Sequence, residues 1–147
     1  LGAGWAHSYQ SRLVRDLCGR FVIVGGEGTG NAFTFDGTTF RPQIGYHSTL
    51  IRDPQDSGRF DFFTKARMRY HFERELTVPG EVYTLRFIEE PNGNRVTLDY
   101  LIGDGDASTL DAVTDSSGRS LRFTYQVFFS GGRTVKRIVR LTGQNAV

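Results

Sequence analysis

The chain has 147 residues, room for one domain of ordinary size, and its 18 glycines, 12 phenylalanines and 6 tyrosines against 4 prolines suit short strands joined by tight turns. A single cysteine, Cys18, excludes an internal disulfide framework and a multi-cysteine zinc site, and no run of about 18 apolar residues is available to cross a membrane as a helix. The formal charge of +2 is unevenly placed: Arg119, Arg122, Arg133, Lys136, Arg137 and Arg140 lie beyond residue 115, where no acidic side chain falls. Arg119, Arg122, Arg137 and Arg140 alternate with apolar neighbours, the pattern of a solvated strand face rather than a nucleic-acid patch.

Along the chain, Trp5, Tyr9, Leu13 and Leu17 recur at helical spacing and end at Gly19, and Met68, Phe72 and Leu76 repeat that spacing. Alternation competes in both places, since Tyr9, Ser11 and Leu13, and again Met68, Tyr70 and Phe72, would share one face of a strand. Cys18, near the end of the first stretch, is expected to be a buried, inert thiol. Phe21-Val22-Ile23-Val24 followed by Gly25-Gly26-Glu27-Gly28-Thr29-Gly30 has the outline of a strand entering a dinucleotide-binding loop. The third glycine of that fingerprint would fall at Asn31, and Ala32-Phe33-Thr34-Phe35 then alternates into Asp36-Gly37, so a hairpin is predicted instead. Further turns are marked by Ser57-Gly58, Asn92-Gly93, Ser117-Gly118 and Gly131-Gly132.

The later part of the chain repeats itself. Gly93-Asn94-Arg95-Val96-Thr97-Leu98-Asp99-Tyr100 returns 25 residues on as Gly118-Arg119-Ser120-Leu121-Arg122-Phe123-Thr124-Tyr125. Leu85, Ile88, Glu90 and Asn92 fall opposite Leu110, Val113, Asp115 and Ser117, and one more step reaches Gly143, with Ile138 opposite Val113. Such periodicity marks units that must stack on neighbours to bury their apolar faces. The predicted fold is all-β, built of repeated antiparallel hairpins forming a curved sheet.

Asp115-Ser116-Ser117-Gly118-Arg119-Ser120-Leu121-Arg122-Phe123-Thr124-Tyr125, preceded by Leu110-Asp111-Ala112-Val113-Thr114, resembles the YD repeat of bacterial Rhs proteins, and Glu90 to Tyr100 resembles a second copy. Asp99-Tyr100 reverses the usual order of that motif. Leu1-Gly2-Ala3-Gly4-Trp5, Ser8-Tyr9, Leu13-Val14-Arg15-Asp16 and Phe62-Phe63-Thr64-Lys65 resemble the segment that enters the repeats. The resemblance implies an entry segment over 1–80 and YD-like repeats over 81–147, together one continuous structural unit and a piece of a longer protein. It implies strands at both ambiguous stretches. It further implies a β-shell, or cocoon, around a C-terminal toxin or effector, secreted or associated with the cell envelope. The partners would then be the remainder of the shell and the enclosed effector.

Nothing in the sequence assembles a catalytic, cofactor or metal site. Gly103-Asp104-Gly105-Asp106, with Asp99 and Asp111, lacks the spacing of a calcium loop, and His7, His47 and His71 lack paired ligand spacing. Glu89 and Glu90, being adjacent, would point to opposite faces of a strand. Tyr46, Tyr70, Tyr83, Tyr100 and Tyr125 are candidates for stacking on a glycan, the alternative function, although core or turn packing accounts for them more simply. Open strand edges near Tyr9 to Val14 and Arg137 to Leu141 are expected to drive self-association.

Overall fold

The computed structural model describes residues 9–25, 30–76, 79–101, 109–130 and 132–144. Twelve antiparallel strands follow in chain order: β1 (Arg12–Arg15), β2 (Phe21–Val24), β3 (Gly30–Phe35), β4 (Phe40–Pro42), β5 (Thr49–Arg52), β6 (Arg59–Phe63), β7 (Arg69–Arg74), β8 (Val82–Glu89), β9 (Arg95–Leu101), β10 (Thr109–Asp115), β11 (Ser120–Ser130) and β12 (Arg133–Gln144). No helix occurs among the described residues, so none is long and apolar enough to cross a membrane. Each strand pairs with the next, and β1 also pairs with β8, closing the first eight into an up-and-down barrel from which β9 to β12 continue as a meander.

Closure depends on β8 having two neighbours on one edge. Val82 to Thr84 pair with β1, and Phe87 to Glu89 pair with β9. Between these stretches Arg86 is an extra residue opposite the His71–Phe72 step of β7, a bulge that bends the strand where its partner changes. The boundary read between residues 80 and 81 therefore falls just ahead of a strand shared by barrel and meander.

Period-two alternation fills the barrel. Leu13, Phe33, Phe60, Phe72, Tyr83 and Leu85 are almost wholly buried, and Phe60 packs on Phe21, Phe40 and Tyr83 with ring centroids 5.1, 5.6 and 4.8 Å away. An eight-stranded barrel is just wide enough for side chains to fill, and each buried large apolar side chain stabilises the fold by about 1.5–3 kcal/mol. Arg52 lies on this aromatic stack, its guanidinium 4.8 Å from the centre of Phe60. Leu98, Leu110, Val113 and Phe123 of the meander join the same core cluster.

One turn geometry is used four times among the described residues. In Asp16–Arg20, Thr64–Met68, Glu90–Asn94 and Asp115–Arg119 the first N–H bonds the fifth carbonyl, and the fourth N–H bonds back to the first carbonyl. The fourth residue must be left-handed, and Gly19, Gly93 and Gly118 meet that need at φ of 78°, 88° and 81°. Arg67 takes the same place at φ 61°. In the two Asp-x-x-Gly-Arg turns the aspartate also ties the loop: Asp16 Oδ1 accepts from the N–H groups of Cys18 and Arg20, and Asp115 Oδ1 from those of Ser117 and Arg119.

Several sequence expectations are corrected. Cys18 is exposed, because it stands at the tip of the first of these turns rather than in a strand. The edge at Tyr9 to Val14 is closed where it forms β1, which has β2 on one side and β8 on the other. The third repeat is out of step: Ile138, opposite Tyr125, takes the place of Leu110 after 28 residues rather than 25, because β11 and β12 form a longer hairpin. Both ambiguous stretches contain strands, β1 and β7, while Leu1 to Ser8, including Trp5 and His7, lie outside the described residues. So do Gly26 to Thr29 and Gly103 to Asp106. Gly30 opens β3, so a strand rather than a helix follows the glycine-rich run.

Candidate functional site

The repeat is anchored by two tyrosines. Tyr100 Oη donates to the Leu85 carbonyl at 2.7 Å, and Tyr125 Oη donates to the Leu110 carbonyl at the same distance. Each accepting carbonyl belongs to the residue just before a bulge, Arg86 in β8 and Asp111 in β10, where the regular ladder is interrupted. The bulge exposes an acceptor and the tyrosine of the following strand satisfies it. Burial raises the Tyr100 hydroxyl well above the ordinary tyrosine range; burial, reinforced by the charge of Asp111, pushes Tyr125 up to about 12. A third bulge, at Val139, follows Ile138 in β12.

Outside the barrel, β6 to β9 carry a charged ladder. Arg69 grips Asp61 with Nε at 3.0 Å and Nη2 at 2.9 Å, and His71 approaches the same carboxylate with Nδ1 at 2.7 Å. Burial acts to raise the Asp61 pKa, but the hydrogen bonds from His71 and Arg69 outweigh it and hold the carboxyl below its ordinary range. Asp61 is therefore an acceptor, and His71 Nδ1–H donates. The other ring nitrogen, Nε2, lies 3.6 Å from Glu73 Oε1. A carboxylate thus occupies the position at which a hydrolytic triad needs its nucleophile. Glu73 also faces Arg59 at 3.5 Å and Arg86 at 3.3 Å, while Glu89 faces Arg69 at 3.6 Å and accepts from Arg95 Nε at 2.8 Å. Phe87 lies under this network, stacked on His71 at 4.6 Å with Arg95 4.1 Å and Arg69 5.1 Å from its centre.

Beside the ladder, the β4–β5 loop, β5, the end of β6 and two turns enclose an open groove of about 620 Å³. Ile51, Phe63 and Pro91 supply apolar surface, Thr49 and Thr64 hydroxyls, and His47, Lys65 and Arg67 its basic groups.

These placements revise the reading of the individual residues. Asp61 and His71, which no motif connects, are brought together by the β6–β7 register. His47 stands apart on an exposed loop. Glu89 is in the ladder and Glu90 in the following turn. Asp111 faces Arg122 at 3.4 Å, and no cluster of three His, Cys, Asp or Glu able to hold a metal occurs among the described residues. Of the five tyrosines considered for glycan stacking, Tyr83 is buried, Tyr70, Tyr100 and Tyr125 pack against the core, and Tyr46 is exposed. No family model, curated protein or solved structure matches the chain.

Proposed function

We propose that the chain is a structural segment of a Rhs-like β-shell, non-catalytic in itself, whose role is to enclose or present an effector carried C-terminal to it. The observation that carries this reading is the doubled anchor: at a spacing of 25 residues the same turn, bulge and tyrosine-to-carbonyl bond recur, Tyr100 on Leu85 and Tyr125 on Leu110. A device that docks each hairpin on the one before it is what a wall of stacked units requires. The aromatic filling of the barrel supports the same reading, since the barrel itself is a solid support and the enclosing surface would come from the meander. His71, held between two carboxylates, acts as a strut rather than a base.

The coding sequence that flanks the chain provides the test. Further units are expected downstream, each with a tyrosine placed to reach the carbonyl before the preceding bulge, beginning with Ile138. Absence of any such unit downstream would overturn the proposal.

A further inference from the structure

We propose that the groove on the outer wall of the barrel binds an extended acidic peptide, with carboxylates held by Lys65 and Arg67 and an apolar side chain seated against Ile51, Phe63 and Pro91. Charge is the first reason. The neighbouring Arg59, Arg69, Arg86 and Arg95 each face a carboxylate, whereas among the described residues Lys65 and Arg67 face none, and no carboxylate lines the groove. Two exposed cations beside an apolar floor are complementary to an anionic ligand that also carries an apolar group.

Backbone conformation supplies the second reason. Arg67 has φ 61° at the turn position that glycine fills at Gly19, Gly93 and Gly118. A side chain there is disfavoured, and glycine would meet the geometry without strain. The turn nonetheless presents a guanidinium, and presents it at the groove. Strained backbone positions cluster at ligand clamps and other functional sites. Shape selects the kind of ligand. A small molecule in an open trough leaves much of its surface wet, whereas an extended peptide lies along such a trough and seats alternate side chains. β5, the end of β6 and the turns beside them supply most of the groove, and Pro91 of the β8–β9 turn completes its apolar floor.

Fluorescence anisotropy on the full chain tests the assignment, using a short labelled peptide of alternating Glu and Thr with a central Leu. Saturable binding is expected, weakened by added salt and reduced about tenfold by Lys65→Glu and by Arg67→Gly. The second variant installs the residue found in the three equivalent turns, so its melting temperature should not fall and its loss of binding reports the guanidinium. The matching Gln–Thr peptide should bind at least about tenfold more weakly. The proposal is overturned if no saturable binding occurs, if both variants bind as the parent does, or if the Gln–Thr peptide binds equally well. Displacement of the peptide by free glutarate at comparable affinity would identify a small-molecule site and would equally overturn it.

Discussion

The barrel and the meander are made from similar strands, yet they end differently. Each barrel strand has neighbours on both sides, and the residues it turns inward are shielded, with Leu13, Phe33, Phe60 and Phe72 fully buried. In the last hairpin, by contrast, Val127, Phe129, Val139 and Leu141 are exposed, Phe129 by 85%. The twelve-residue strand β12 pairs with β11 alone among the described residues. Closing a sheet on itself completes its hydrogen bonding and its core together; extending it transfers both needs to whatever comes next.

The sharpest contrast should come from truncating one side chain in each region. Phe60→Ala is expected to cost about 3–5 kcal/mol, whereas Leu141→Ala should stay within about 0.5 kcal/mol, both measured by denaturant titration. Equal losses would mean that Leu141 is as fully packed as Phe60 in solution. The exposed edge makes the next prediction: the scattering mass of the chain should rise with concentration, and Val139→Lys combined with Leu141→Lys should abolish the rise.

The tyrosine anchors lie between these extremes. Tyr100→Phe leaves the Leu85 carbonyl without its donor and should cost about 1–3 kcal/mol, and Tyr125→Phe about 1 kcal/mol because Tyr125 is less enclosed. Both folded pKa values are raised, so this stabilisation is complete below the unfolded tyrosine pKa of about 10. It is lost as pH rises from there through the folded value, about 12 for Tyr125. Alkaline unfolding followed at the tyrosinate absorbance should flatten in the double Phe variant.

On the barrel wall, Asp61→Asn should cost about 1 kcal/mol by loosening Arg69 and His71. The Asp61 pKa is lowered, so its contribution is present above about pH 4, the unfolded value, and declines as pH falls through the folded one. The variant should therefore lose less stability than the parent on acidification. Smallest of all, Arg67→Gly should leave stability unchanged or raise it by up to about 1 kcal/mol in thermal melts.

Much of the fold was legible wherever a local rule determines it. Asn92-Gly93 and Ser117-Gly118 predicted turns that are present, and the match of Tyr100 with Tyr125 marked residues that do the same work. Barrel closure was not legible, because Leu13 meets Tyr83 through the accumulated curvature of eight strands and no local pattern encodes that meeting. Cys18 was misjudged because Asp-x-x-Gly-Arg was read as a turn only in its second occurrence, at Asp115. The Asp61–His71 pair is hidden because its turn carries no such motif. Thr64–Met68 is a turn of the same geometry without glycine, and counting outward from it places Asp61 opposite His71. The groove left less trace still, since His47, Lys65 and Pro91 come from separate loops whose proximity depends on the closed barrel.

The shared strand β8 also governs the order in which the molecule can form. Every other pairing joins consecutive strands, but Arg12 to Val14 must wait for Val82 to Thr84, a contact that encloses most of the barrel's own sequence. Forming it means ordering a long intervening segment before the contact returns any stabilisation, so barrel closure is the natural slow step, following the local hairpins. Until β8 arrives, β1 has one bare edge. During that interval the β8 of a second molecule carries the same residues, and the step that completes one barrel can instead exchange strands between two.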